Sequence, residues 1–139
     1  MTKKQEEIKI LISGGTGFLG GYTAKFLKNK GYEIGVLGRN LEKAKNLQNE
    51  GIKFYEIDFS MEDHIEELIN IMNDYDYVVH SGAMSSICGS YKDFYNANVL
   101  GSKNMAKASI KANIKKFIHI SSPSIYYDYK DRLNVEETF

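Results

Sequence analysis

The 139-residue sequence contains no tryptophan, one proline and one cysteine, and its 18 basic residues are balanced by 18 acidic ones. The single cysteine, Cys88, cannot form a disulfide within the chain, and no Cys/His spacing typical of a zinc site is present. We therefore expect no metal and a reducing compartment, the cytoplasm. The absence of net charge argues against a general attraction to nucleic acid or to an anionic membrane surface. No apolar run approaches the ~18 residues of a membrane span, and the charged N-terminus does not resemble an export signal.

Apolar residues make up 42% of the chain and charged residues 26%, which is typical of one globular domain, here residues 1–139. Short apolar segments alternate with segments of helical period. The expected strands are Ile8–Ile12, Tyr32–Leu37, Ile52–Ile57, Tyr77–His80 and Phe117–Ser121. The expected helices are Phe18–Lys30, Leu41–Asn49, Met61–Asn73 and Tyr91–Asn113. This alternation predicts an α/β fold, a Rossmann-like, doubly wound parallel sheet with strand order 3-2-1-4-5.

A glycine-rich loop separates the first expected strand from the first helix. Gly14, Gly17 and Gly20 are spaced Gly-x-x-Gly-x-x-Gly, and the loop also contains Thr16, Phe18 and Leu19. In such loops the first glycine permits a tight turn, the second lets a diphosphate approach the backbone, and the third lets helix and strand pack closely. The free amides and dipole of the helix start favour an anion. The loop predicts dinucleotide binding, with a plain turn as the alternative, and the absence of a following Gly-Lys-Ser/Thr disfavours an ATPase P-loop.

Three further segments follow in order along the chain: 79–83 (Val-His-Ser-Gly-Ala), 98–104 (Asn-Val-Leu-Gly-Ser-Lys-Asn) and 121–126 (Ser-Ser-Pro-Ser-Ile-Tyr). Together with the glycine loop they resemble the N-terminal part of the extended short-chain dehydrogenase/reductase family, which contains NAD(P)-dependent epimerases, dehydratases and 3β-hydroxysteroid-dehydrogenase-like reductases. The resemblance covers essentially the whole chain. It implies a nicotinamide dinucleotide cofactor and hydride transfer to or from a carbonyl or secondary alcohol of a small-molecule substrate.

The end of the second strand indicates which cofactor is preferred. An acidic residue there would bind the ribose hydroxyls of NAD and repel a 2′-phosphate, but this chain has glycine followed by Arg39 and Asn40. An arginine offers a fork of donors to a phosphate, so we expect NADP rather than NAD, although a solvated helix start would also explain these residues. After the third strand, Asp58 resembles the acid that contacts adenine in the family. Alternatively, Asp58 or Ser60 caps the next helix.

Small residues follow the fourth strand, where the resemblance implies that the backbone passes beside the cofactor. These residues are Ser81, Gly82 and Ala83. His80, which precedes them, is predicted to be a strand-end residue with local hydrogen-bond partners. Asn98 matches the family's helical asparagine, which supports a water-linked relay to the catalytic lysine, and its alternative is a packing or surface role.

The catalytic residues are only partly present. Ser122 matches the serine that hydrogen-bonds the substrate oxygen, although it can also be a simple turn residue beside Pro123. Tyr126 and Lys130 fit Tyr-x-x-x-Lys, but they follow Ser122 too closely and in a loop-like run to be the family's helical pair. The resemblance therefore implies a C-terminally truncated fragment that is inactive alone.

Two non-enzymatic functions remain as alternatives: a dinucleotide-sensing module and a protein-interaction module. An uncovered sheet edge also predicts self-association, for example as a homodimer.

Overall fold

The computed structural model describes residues 7–138, which form a five-stranded parallel sheet with helices on both faces. The strands are β1 Lys9–Ser13, β2 Glu33–Gly38, β3 Lys53–Glu56, β4 Tyr77–His80 and β5 Lys116–His119. Their order in the sheet is β3-β2-β1-β4-β5. The predicted α/β class and the predicted strand order are both confirmed.

Five α-helices and one π-helical segment connect the strands. The α-helices are α1 Phe18–Asn29, α2 Leu41–Asn49, α3 Ile65–Met72, α4 Tyr91–Phe94 and α5 Gly101–Lys111, and the π-helical segment is Tyr95–Leu100. Short 3₁₀ helices cover Glu62–His64 and Pro123–Tyr126. None of the helices described in residues 7–138 is both long and apolar enough to cross a membrane.

The central strand β1 is buried on both faces, because successive side chains point to opposite sides of the sheet. On one face Leu11 packs in a cluster that includes Leu68 of α3 and Met105 of α5. On the other face Ile12 packs in a cluster that includes Ala24 of α1 and Leu47 of α2. The two clusters fix the sheet between its helical layers and hold the carboxyl ends of the strands in register.

Two predicted helices have a different form in the structure. The helix expected at Met61–Asn73 begins with the 3₁₀ turn Glu62–His64, and α3 starts only at Ile65. The helix expected at Tyr91–Asn113 is interrupted by the π-helical segment. In this segment the Asn98 side chain bonds to the backbone of Met84 across 14 positions of sequence. Hydrophobic period does not reveal such a tertiary bond, so the interruption was not predicted.

Candidate functional site

A cleft of about 270 Å³ lies at the carboxyl ends of β1, β2 and β4. The strand register puts Ser13 level with Leu37 on one side and with His80 on the other, so the loops after these strands leave the sheet at one place. Eleven residues that the sequence nominates for the cofactor line the cleft: Gly14, Thr16, Gly17, Phe18, Leu19, Gly20, Arg39, Asp58, Ser81, Gly82 and Ala83. The fold therefore brings most of the candidate residues together.

The glycine loop is packed against the end of β4. Gly14 has a positive φ of 68°, and a Cβ built on it would lie 2.6 Å from the Cα of Gly82. A Cβ on Gly20 would overlap the carbonyl group of Gly14. Gly17 is the least crowded of the three, since a Cβ there would meet only the Gly14 carbonyl oxygen, at 3.1 Å, and needs a shift of a few tenths of an ångström. Two of the three glycines are therefore required by the packing of the chain itself.

Helix α1 begins at the cleft without a protein cap. Its N-cap residue, Gly17, has an extended backbone and no side chain, and the first turn contains no acidic residue. The positive end of the helix dipole is therefore not neutralised by a side chain of the helix. Phe18, the first residue of the helix, is 95% exposed and lines the cleft. This arrangement suits an anion such as a diphosphate.

Arg39 and Asp58 form an ion pair at the cleft, with 3.3 Å between Nη1 and Oδ2. The other carboxylate oxygen of Asp58 accepts hydrogen bonds from the Ser60 amide at 3.0 Å and the Ser60 hydroxyl at 2.6 Å. Burial alone would raise the pKa of the Asp58 carboxyl, but these hydrogen bonds and the Arg39 guanidinium together hold it below its usual value. Asp58 is therefore a carboxylate at neutral pH.

The alternative that Asp58 or Ser60 caps the next helix is wrong. The 3₁₀ helix that follows has Met61 as its N-cap residue and no side-chain cap. The Asp58 side chain instead closes a turn with Ser60, two residues on, within the loop that precedes the helix. Asp58 therefore lines the cleft and is not used to cap a helix.

The end of β4 is fixed to β1 by side-chain hydrogen bonds. The Ser81 hydroxyl donates to the Ser13 carbonyl at 2.7 Å, and the Gly82 amide donates to the Ser13 hydroxyl at 3.1 Å. His80 is 1% exposed, and both of its ring nitrogens have hydroxyl partners, Ser13 and Ser102. The prediction that His80 has local partners is confirmed.

Three nominated residues lie outside the cleft lining. Asn40 caps α2 by accepting from the Lys43 amide at 2.9 Å. Asn98 accepts from the Met84 amide and donates to the Met84 carbonyl. Ser122 is exposed, and its hydroxyl caps the 3₁₀ helix Pro123–Tyr126 by accepting from the Ser124 amide at 3.2 Å. Each side chain has a local structural partner, and its role toward a cofactor or substrate stays a prediction.

Five residues that were not nominated also line the cleft: Gly38, Phe59, Ser60, Met84 and Ala97. Gly38 ends β2, and Phe59 and Ser60 closely follow β3, so the rule that ligands bind beyond the carboxyl ends of parallel strands would have found them. Met84 and Ala97 had no such signal. They reach the cleft because the loop after β4 folds back onto the π-helical segment.

Tyr126 and Lys130 do not share a helix. Tyr126 is the last residue of the 3₁₀ helix Pro123–Tyr126, and no helix or strand is assigned from Tyr127 to Thr138. The two side chains therefore lack the i, i+4 relation that a helix would give them. No group of three or more His, Cys, Asp or Glu side chains within residues 7–138 is arranged to hold a metal ion.

Comparison with known proteins gives the family of the chain. Residues 10–139 match the model of the NAD dependent epimerase/dehydratase family. The chain belongs to this family. The resemblance to extended short-chain dehydrogenases/reductases is thereby confirmed.

Relatives of the chain are longer than the chain itself. It is 30% identical to the uncharacterized protein YbjS of Escherichia coli (strain K12) over 137 residues, which is 95% of this chain and 39% of YbjS. It also resembles the crystal structure of UDP-N-acetylglucosamine 4-epimerase from Bacillus cereus, with 30% identity, a TM-score of 0.75, and coverage of 95% of this chain and 46% of that one. Similarity to UDP-glucose 4-epimerase from Thermotoga maritima gives 27% identity and a TM-score of 0.79, and covers 94% of this chain and 43% of that one. The chain thus spans less than half of each relative.

Proposed function

We propose that this chain forms the NADP(H)-binding part of a reductase or epimerase that transfers hydride to or from a carbonyl or secondary alcohol. One observation carries the proposal: the uncapped start of α1, with its bare Gly17, opens into the cleft at the carboxyl ends of β1, β2 and β4. The unpaired amides of the first helical turn would bind the diphosphate, and the crowded β4 end would lie beside the nicotinamide ribose. When bound, the reduced dinucleotide would supply hydride to a carbonyl, and the oxidised dinucleotide would accept it from a secondary alcohol.

The preference for NADP over NAD rests on the residues after β2. Gly38 ends the strand without an acidic side chain that would repel a 2′-phosphate, and the Arg39 guanidinium follows it. The Arg39 side chain is 72% exposed, so its ion pair with Asp58 is weak and the guanidinium is free to turn toward a dianionic phosphate. Lys43, in the first turn of α2, adds a second positive charge four positions after Arg39.

Titration of NADPH and NADH against the purified chain tests this proposal. We expect tighter binding of NADPH in the wild type and a reversed preference in Arg39→Asp, because the new carboxylate would repel the 2′-phosphate. The expected change in the NADPH/NADH affinity ratio is about tenfold or more, which corresponds to ~1.4 kcal/mol. Fluorescence of the bound nicotinamide or calorimetry gives both dissociation constants.

Lys45→Asp is the matched control, because it reverses one exposed charge of α2 outside the residues that line the cleft. It should leave the ratio within a factor of two. Tighter NADH binding by the wild type, or an unchanged ratio in Arg39→Asp, would contradict the NADP preference. Failure to bind either dinucleotide would contradict the proposed function itself.

Ser122 is the residue that we propose to orient the reacting oxygen of the substrate, since it follows a parallel strand at the end where such sheets bind ligands. The second candidate function, dinucleotide sensing without turnover, is favoured by the separation of Ser122 from the cleft lining and by the non-helical Tyr126 and Lys130. Because this chain is expected to be inactive alone, the two are separated by measuring NADPH oxidation, with a panel of carbonyl compounds, by the longer protein whose NADP(H)-binding part it would form. Binding of NADPH without oxidation favours sensing.

A further inference from the structure

A network of hydrogen bonds beneath the cleft connects α5, β4 and β1 and reaches Gly82, which lines the cleft. The Ser102 hydroxyl of α5 lies 3.0 Å from His80 Nε2, and the Ser13 hydroxyl of β1 lies 2.5 Å from His80 Nδ1. The same Ser13 hydroxyl accepts from the amide of Gly82, which lines the cleft. His80 therefore joins α5, through β1, to the backbone against which the glycine loop packs.

The donors and acceptors in this hydrogen-bond network determine which nitrogen of the His80 imidazole carries the proton. Because Ser13 Oγ accepts from the Gly82 amide, its own hydrogen points elsewhere, and His80 Nδ1 is the acceptor at hand. Nδ1 is then unprotonated, and Nε2 donates to the Ser102 hydroxyl. The opposite tautomer would leave the fully buried Ser13 hydroxyl hydrogen without an acceptor, which is costly. Ser102, only partly buried on a helix, has easier alternatives for its own hydrogen.

We infer that His80 is a positioning residue for the dinucleotide cleft: its neutral, Nε2-protonated ring holds the Ser13 hydroxyl, which in turn holds the Gly82 amide and the β4 end against the glycine loop. This inference rests on the proposed function, since the loop is the part of the cleft assigned to the diphosphate. Ser13 also accepts from the Ser81 hydroxyl through its carbonyl oxygen, so one residue of β1 fixes two consecutive cleft residues.

Aromatic packing holds the imidazole in the orientation that the hydrogen bonds need. The ring of Phe59, which lines the cleft, meets the His80 ring edge to face with centroids 5.5 Å apart. Phe117 and His119 of β5 stack on the imidazole at 6.0 and 5.3 Å. The hydrogen-bond partners of the ring, Ser13 of β1 and Ser102 of α5, carry no charge. Of the rings packed on the imidazole, those of Phe59, Phe117 and His119, that of His119 on β5 is the titratable one.

The surroundings of His80 give it a defined response to pH. Burial, aided by the nearby His119, lowers the pKa of His80 to about 4. A second proton on Nδ1 would displace the Ser13 hydrogen from its acceptor, so acid should loosen the β4 end. Since the folded pKa lies below the unfolded value of about 6.5, the stability that depends on neutral His80 is lost as the pH falls from about 6.5 toward 4. Cofactor affinity depends on the protonation of His80 in the folded protein, so it falls only as the pH approaches about 4. Both should be insensitive to His80 at higher pH.

Two quantities are measured on the ligand-free protein: the tautomer of His80 and the hydrogen-exchange rate of the Gly82 amide. Long-range ¹H–¹⁵N correlation spectra should show His80 protonated on Nε2 and bare on Nδ1 near neutral pH. Ser13→Ala should speed hydrogen exchange of the Gly82 amide tenfold or more. The control is Ser109→Ala. Ser109 is a similarly buried serine on α5, but its hydroxyl contacts the Met72 sulfur and is not part of the His80 hydrogen-bond network. An Nδ1-protonated ring, or a Gly82 amide that exchanges at the wild-type rate in Ser13→Ala, would overturn the inference.

Cofactor binding tests the positioning role. The NADPH dissociation constant should rise about tenfold in His80→Phe, which keeps an aromatic ring but loses both nitrogens. It should rise less than about threefold in His80→Asn, whose amide oxygen can still accept from Ser13. Ser13→Ala provides a second variant should His80→Phe fail to fold. Wild-type affinity should also fall as the pH approaches 4, and this dependence should be lost in His80→Asn.

The outcomes separate the inference from the function on which it rests. Unchanged NADPH affinity in both Ser13→Ala and His80→Phe, with binding intact in the wild type, would overturn the positioning role alone. A wild-type chain that binds neither NADPH nor NADH would overturn the proposed function and with it the role of His80 toward the cofactor. In that case hydrogen exchange of the Gly82 amide would still show whether Ser13 and His80 hold this amide in the hydrogen-bond network.

Discussion

At the scale of single residues, Gly20 and Gly17 belong to the same loop but should tolerate a methyl group differently. A Cβ on Gly20 would overlap the Gly14 backbone and approach the Ser81 hydroxyl at 2.8 Å, so Gly20→Ala should lower the free energy of unfolding by about 1–3 kcal/mol. Gly17→Ala meets only the Gly14 oxygen and needs no positive φ. It should therefore cost less than about 1 kcal/mol in stability and yet weaken NADPH binding about tenfold, because its methyl group faces the diphosphate.

Urea denaturation and NADPH titration of the two variants measure these effects, and each variant is the control for the other. A stable Gly17→Ala protein that binds NADPH like the wild type would show that the diphosphate does not approach this residue. Loss of stability in Gly17→Ala as large as in Gly20→Ala would show that both glycines are needed for packing alone. Gly17 is the sharper probe, since a methyl group there meets one backbone oxygen at 3.1 Å, whereas a methyl group on Gly20 would overlap the Gly14 backbone.

At the scale of elements, the π-helical segment Tyr95–Leu100 is expected to depend on one side chain. Asn98 accepts from the Met84 amide at 2.7 Å and donates to the Met84 carbonyl at 3.1 Å, which ties the segment to the loop after β4. Asn98→Ala leaves both backbone groups without this partner and should cost about 1–3 kcal/mol. The Met84 amide should also exchange faster with solvent. Val99→Ala, on a half-exposed side chain of the same segment, should stay within about 0.5 kcal/mol of the wild type. Wild-type stability and Met84 exchange in Asn98→Ala would contradict this assignment.

The π-helical segment also shows which features of the structure could not be predicted from the sequence. The alternation of apolar runs and helical periods was sufficient for the strand order, because right-handed crossovers leave few topologies. The glycine spacing, the end of the second strand and the family resemblance together identified eleven of the sixteen residues that line the cleft. Met84 and Ala97 were missed, and the Tyr91–Asn113 segment was expected to be an uninterrupted helix. These features depend on a bond between Asn98 and a loop 14 residues away, and periodicity carries no information about such a contact.

At the scale of the whole molecule, the sheet is well covered at its centre and poorly covered at β5. The outer edge of β5 pairs with no other strand among residues 7–138, so the backbone groups along this edge can pair with another chain. Ile118 of β5 is 43% exposed, as is Ile120 just beyond the strand. The opposite edge of the sheet is β3, which has four residues like β5 but whose two central residues, Phe54 and Tyr55, are only partly exposed. Self-association is therefore expected through β5.

The last prediction concerns this edge. The wild-type chain should sediment as a growing fraction of dimers or larger species as its concentration is raised through the micromolar range, because pairing along β5 removes both unpaired backbone groups and apolar surface from water. Ile118→Lys places a charge in the centre of the edge and should shift the chain toward the monomer without changing NADPH affinity, since Ile118 does not line the cleft. Ile87→Lys makes the same change at a fully exposed isoleucine in the loop after β4 and should leave association unchanged. A wild-type chain that is monomeric throughout, or equal loss of association in both variants, would show that β5 is not the contact.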